Sequence, residues 1–168
     1  DSIELLIKYG VDTNVETKTG TPLSYLLATD LSSYRKAAIA KILINNGADT
    51  NQKNIKGQTL IAIAAYKGDL TTLSILLTYG ADLNQKDNNG WTPLMYAQNQ
   101  NNLSIVKTLL FKGAKLDTTD KINDWTALMY AVKDNQSEIV ETLIANGADV
   151  EYASSVNDLT AKDIAEKY

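Results

Sequence analysis

The sequence contains no cysteine and no histidine. The first absence rules out a disulfide framework and thiolate chemistry, and leaves the redox compartment open. The second removes the commonest general base and the commonest zinc ligand together. Positive charge is never clustered. Lys+Arg number 16 against Asp+Glu 20, the net charge is −4, and the signs are mixed along the chain. Polyphosphates and anionic membrane surfaces bind clustered cations, so neither is an expected partner. No apolar stretch approaches the roughly 20 residues that span a bilayer. The opening residues lack a signal-peptide pattern, and the compartment stays open between the cytoplasm and a secreted effector. Arginine is nearly missing, because Arg35 stands alone against 15 lysines. With abundant Asn and Ile, this bias is that of AT-rich codons and points to a bacterial source. Glycine-rich phosphate loops and metal-ligand spacings are missing as well. The carboxylates are scattered, and Asp134 with Glu138 reads as a solvated surface pair. Neither an active site nor a cofactor is expected.

What is present is a repeat. The chain has 168 residues and 44% apolar content, enough for one domain with a sizeable core. Asn46-Gly47-Ala48-Asp49 recurs as Tyr79-Gly80-Ala81-Asp82, Lys112-Gly113-Ala114-Lys115 and Asn146-Gly147-Ala148-Asp149, with a first copy at Tyr9-Gly10-Val11-Asp12. These glycines are 37, 33, 33 and 34 residues apart. A second marker keeps step at Thr21-Pro22, Thr59-Leu60, Thr92-Pro93, Thr126-Ala127 and Thr160-Ala161. The Thr hydroxyl suits a helix N-cap, and Pro loses nothing at the first helical position. The Gly suits a helix end, where the chain enters the left-handed region. Polar breaks at Lys67-Gly68-Asp69, Gln100-Asn101-Asn102 and Asp134-Asn135-Gln136 divide each interval, so each unit reads as helix, turn, helix. Leu103, Val106, Leu109 and Leu110, then Ile139, Val140, Leu143 and Ile144, form apolar stripes at helical spacing. Polar loops such as Asn84–Gly90 read as β-turns at a projecting tip.

On these residues the chain resembles the ankyrin repeat family. Gly90-Trp91-Thr92-Pro93-Leu94-Met95-Tyr96-Ala97 through Leu109-Leu110-Phe111-Lys112-Gly113-Ala114 follows the family pattern closely, and the likeness covers essentially the whole chain. The resemblance implies an all-α ankyrin-repeat solenoid of stacked antiparallel helix pairs, with projecting β-turn loops and a concave binding face. The expected boundaries are a partial repeat at 1–16, a repeat with an insertion at 17–53, repeats at 54–86, 87–119 and 120–153, and a partial repeat at 154–168. The chain opens inside a second helix, near residues 2–9, and stops inside a first helix, so a piece of a longer protein is expected. Some positions depart from the family. Ser24, Ala62, Met95, Met129 and Asp163 stand where the family usually has His, and Asp124 and Asp158 replace the Gly before the capping Thr. About five extra residues fall within Ala28–Lys36.

Stacking accounts for the Thr-Pro, Gly-Ala-Asp and Leu positions. Tyr25, Tyr96 and Tyr130 share one position of the first helix and read as core, with hydroxyls reaching a polar edge. What is left over is a column whose members change from unit to unit. It comprises Gln58, Tyr66, Asn89, Trp91, Asn99, Asn123, Trp125 and Lys133, on the loop tips and the concave side of the first helices. Tryptophan is enriched at binding hot spots. The expected function is a protein–protein interaction scaffold, monomeric and non-catalytic. The alternative is a targeting or regulatory arm of a larger enzyme or toxin. Nucleic acid is not expected as a partner, because Lys56, Lys67 and Lys133 share the candidate face with Asp87 and Asp134. If both indoles serve contact alone, changing Trp91 and Trp125 to Ala leaves the helical content intact and weakens partner binding 10-fold or more, about 1.4 kcal/mol. Circular dichroism beside a binding titration tests this.

Overall fold

The computed structural model describes residue 5 and residues 7–167. Part of the helix expected over residues 2–9 lies outside these, but Leu5, Ile7 and Lys8 are helical. The named helices are α1 (Pro22–Ala28), α2 (Ser33–Asn45), α3 (Leu60–Tyr66), α4 (Leu70–Thr78), α5 (Pro93–Asn99), α6 (Leu103–Phe111), α7 (Ala127–Lys133), α8 (Ser137–Ala145) and α9 (Ala161–Lys167). Among the described residues there is no β-strand, only isolated bridges at Thr17 with Gly20 and Lys53 with Thr59. The first helices α1, α3, α5, α7 and α9 pack each on the next in one row. The second helices pack behind them, each against its own first helix, with α2 on α4 and α6 on α8.

The sequence markers do the work assigned to them. Thr21, Thr59, Thr92 and Thr126 cap α1, α3, α5 and α7 by accepting the N–H of Ser24, Ala62, Met95 and Met129. At α9 the hydroxyl of Thr160 accepts the Asp163 N–H, and the Asp163 carboxylate accepts the Thr160 N–H at 2.8 Å, closing a capping box. The second helices end in left-handed glycines such as Gly47 (φ 93°), where Ala48 N–H returns to Leu43 O at 3.0 Å. The turns inside the pairs α3–α4, α5–α6 and α7–α8 are also left-handed, at Gly68, Asn101 and Asn135. Asp124 (φ 54°) and Asp158 (φ 56°) hold the same conformation where the family has Gly. The insertion becomes a loop and extra helix. α2 has 13 residues where α4, α6 and α8 have 9.

Burial follows from stacking. All of α3 except Tyr66 is buried, because the helix is covered by α1, α5 and α4 at once. In α6 the fully covered residues are Ile105, Val106 and Leu109, while Leu103 and Leu110 lie at the flank. The expected stripe of α8 is narrower than read, since Ile139 and Leu143 are buried but Ile144 is 46% exposed. Tyr25 also differs from its expected core position and is 56% exposed. Thr17 stands at the base of its finger, and its hydroxyl donates to Gly20 O, so this finger offers no carboxylate to hold the Tyr25 ring.

A ladder of side-chain amides ties each unit to the next. Asn14 donates to Gly47 O at 2.8 Å and accepts the Asp49 N–H at 2.9 Å. Asn51 repeats both bonds to Gly80 O and the Asp82 N–H, and Asn84 accepts the Lys115 N–H. Asp117 takes over for the last rung, accepting the Asp149 N–H at 3.1 Å. These bonds satisfy backbone groups left open past the helix ends. Leu109 is 0% exposed at the centre of the stack. Leu109→Ala is therefore expected to cost about 2–5 kcal/mol in urea unfolding, and a loss under about 0.5 kcal/mol would place Leu109 outside the core.

Candidate functional site

The fingers that begin at Asp87 and Asp120 are each built on one buried acceptor. Asp87, 3% exposed, accepts the N–H of Asn89 (2.8 Å) and of Trp91 (2.7 Å) through Oδ1, and its Oδ2 accepts the Tyr96 hydroxyl at 2.8 Å. Asp120 repeats the arrangement. Its Oδ1 takes the N–H of Ile122 and Asn123, and its Oδ2 takes the Trp125 N–H at 3.1 Å and the Tyr130 hydroxyl at 3.0 Å. A buried carboxylate with every oxygen engaged fixes both the turn and the ring above it. Asn54 supplies the neutral version, accepting the N–H of Lys56 and Gln58. Sequence reasoning placed Asp87 on the surface as a charge. The structure corrects this, because four residues of turn and the Tyr96 hydroxyl close over it. The available signal was Asp followed by Tyr nine residues on in one unit and ten in the next.

The rings so positioned form a continuous column. Tyr66 meets Tyr96 edge-on at 6.1 Å, and Trp91 stands 5.3 Å from Tyr96 and 5.1 Å from Tyr130. Trp125 follows at 5.2 Å from Tyr130. Tilted and edge-on contacts of this kind add about 0.5–1.5 kcal/mol each beyond burial. Burial first, and then the neighbouring Asp87, push the Tyr96 hydroxyl up to about 12, and Asp120 helps burial do the same to Tyr130. Both phenols therefore stay neutral donors at any ordinary pH.

The eight residues singled out from sequence fall into three groups. Gln58, Trp91 and Asn123 are half-buried around the column, with Gln58 donating to the Tyr96 hydroxyl at 3.4 Å and Asn123 to that of Tyr130 at 3.0 Å. Tyr66, Asn99 and Lys133 are exposed at the last position of α3, α5 and α7, and Asn89 is exposed at a finger tip. Trp125 stands apart. It is 6% exposed within the core cluster, so its indole has no face to offer a partner. Its finger carries one more residue than the finger of Trp91, and the ring is folded in against Tyr130. The two tryptophans are thus not equivalent, and the double change to Ala removes a core residue along with a surface one.

Asp124 links the last two fingers. Its Oδ2 accepts the Tyr152 hydroxyl at 2.6 Å, the Ser155 N–H at 3.0 Å and the Ser155 hydroxyl at 2.7 Å. Those donors, Tyr152 foremost, hold the carboxyl below the usual carboxylate range, and the same bond pushes the Tyr152 phenol up. The departure from Gly at this position thus provides a bond between neighbouring units. Among the described residues, no three His, Cys, Asp or Glu come together as a metal site, and no helix is long and apolar enough to cross a membrane.

Comparison with known proteins agrees with this architecture. The family model for ankyrin repeats in three copies matches residues 28–120, and that for a single ankyrin repeat matches residues 123–155. The chain belongs to the ankyrin repeat family. An ankyrin repeat protein of Rickettsia felis is 37% identical over 68 residues, covering 40% of this chain and 30% of the relative. That bacterial relative accords with the codon bias. Ankyrin repeats are generally protein–protein interaction modules and typically non-catalytic.

Two outcomes follow. Trp125→Ala is expected to cost about 3–5 kcal/mol of stability, as for a buried aromatic, whereas Tyr66→Ala should cost about 0.5–1.5 kcal/mol, the edge contact with Tyr96 being its main loss. Chemical denaturation of the two variants separates these roles. The second outcome concerns acid. Because the folded carboxyl of Asp124 binds its proton more weakly than the unfolded one, its contribution is whole at neutral pH. It is lost as pH falls from about 4, the unfolded value, through the depressed folded value. Asp124→Asn should therefore lose less stability than the parent between pH 6 and pH 3, measured by urea midpoints. A parallel decline in both proteins would contradict the link.

Proposed function

We propose that this chain is a scaffold that binds another protein along its finger tips and the concave side of its first helices. The observation that carries this reading is the aromatic column from Tyr66 to Tyr130, set by buried Asp87 and Asp120 and left partly open to solvent. A ring held rigid before binding loses little entropy when a partner arrives. The contact residues are Gln58, Tyr66, Asn89, Trp91, Asn99, Asn123 and Lys133, and Trp125 supports them from behind. The chain acts as a monomer in this reading, with no cofactor and no reaction of its own.

Affinity capture on the immobilised chain, read by mass spectrometry, identifies the partner. Tyr66→Ala combined with Trp91→Ala is then expected to weaken binding 10-fold or more while circular dichroism keeps the parent's helical signal. Undiminished binding by this folded variant would move the contact surface elsewhere.

A further inference from the structure

Between the finger at residues 17–20 and the finger at residues 54–58 lies an open cavity of about 500 Å³. Ile55, Lys56, Gln58, Tyr66 and Lys67 line it, and none of its lining residues is a carboxylate. Ile55 is 67% exposed and Tyr66 47%. A single exposed aliphatic residue is ordinary. Here it shares a cavity with an open aromatic ring and two ammonium groups.

Lys67 is held in place by uncharged oxygens. Lys67 donates to Ala28 O at 3.1 Å and Thr29 O at 3.2 Å, at the C-terminal end of α1. Burial and the charge of Lys36 lower its proton affinity, and Asp30 and Asp69 only partly restore it. Further along the fingers, Lys86 donates to Thr119 O, Lys121 to Asn88 O and Lys53 to Asn88 Oδ1, all uncharged acceptors. The acids of those fingers, Asp87 and Asp120, are 3% exposed with their oxygens occupied. A chain of net charge −4 thus turns a row of ammonium groups outward along its finger edge.

We propose that this cleft receives an acidic segment of the partner protein, with an aliphatic or aromatic side chain next to a carboxylate. The apolar side chain packs against Ile55 and Tyr66, and the carboxylate pairs with Lys56 and Lys67. Further acidic residues follow Lys53 and Lys86 along the fingers. Complementary charge of this kind sets orientation and speeds encounter. The proposal rests on the scaffold reading and names the partner's chemistry for one end of that surface.

The test is a random peptide library displayed on phage and selected on the full 168-residue chain. Selected peptides are expected to carry an excess of Asp and Glu beside an aliphatic or aromatic residue. A fluorescent copy of the strongest should lose 10-fold or more in affinity with Lys56→Glu and with Ile55→Asp, both exposed sites, with circular dichroism confirming the fold. Exchanging its acids for lysines should restore binding to Lys56→Glu. Selected peptides without acidic excess would overturn the proposal, as would affinity that ignores Lys56→Glu but falls with Trp91→Ala. Either result leaves the scaffold reading standing. Failure to enrich any peptide would count against both. A deoxythymidine oligonucleotide displacing the peptide, or self-association abolished by Lys56→Glu, would assign the cleft to nucleic acid or to a second copy instead.

Discussion

No helix pair in this chain can bury its own apolar surface. A seven-residue helix is about 10 Å long, and isolated helices under about 12 residues are marginal in water. α3 makes the point most sharply, with six of its seven residues buried under α1 and α5 as well as its own partner α4. The neighbours must supply that cover. Every other feature of the molecule is arranged around this dependence on the adjacent unit. The Thr caps, the left-handed glycines and the Asn turns give each unit one shape, so that the shapes stack. The side chains of Asn14, Asn51 and Asn84 then reach across each junction and satisfy backbone groups on the next unit.

The same dependence frees the finger edge. Because the core is complete without them, the residues at the tips differ between units, and only the base of each finger is fixed. Asp87 and Asp120 fix it by engaging both their carboxylate oxygens with local N–H groups and a tyrosine hydroxyl. Rigid backbone and oriented rings result, topped by exposed side chains of free choice. With Asp87 and Asp120 internal, the lysines of their fingers face solvent without them.

The repeat was legible in the sequence because its markers are local. A Thr cap, a left-handed Gly and an Asn turn depend on a few neighbouring residues, and their period is visible by counting. Asp124 and Asp158 stand where the family has Gly, and both take the left-handed conformation that Asp tolerates better than most residues. What depends on residues in different units was not legible. Tyr25, Tyr96 and Tyr130 share a register position, but only the latter two have a buried Asp to hold them. Trp91 and Trp125 share another, yet the added residue in the second finger turns Trp125 inward. Ile144 is exposed although it falls in the apolar stripe, and Ile105 is buried although it stands outside the named one, because the face of a second helix is set by how its neighbour packs. Periodicity gives a residue its place in the unit, and the junction decides how deeply that place is covered.

Native-state hydrogen exchange tests the dependence on neighbours most directly, because it reads local opening along the whole stack. Amides of α3, α5 and α7, covered on both sides by other first helices, are predicted to exchange slowest. Protection should decline stepwise toward α1 and α9. Equal protection in all five, or slower exchange in α9 than in α5, would contradict a fold in which each unit is stabilised by the one beside it.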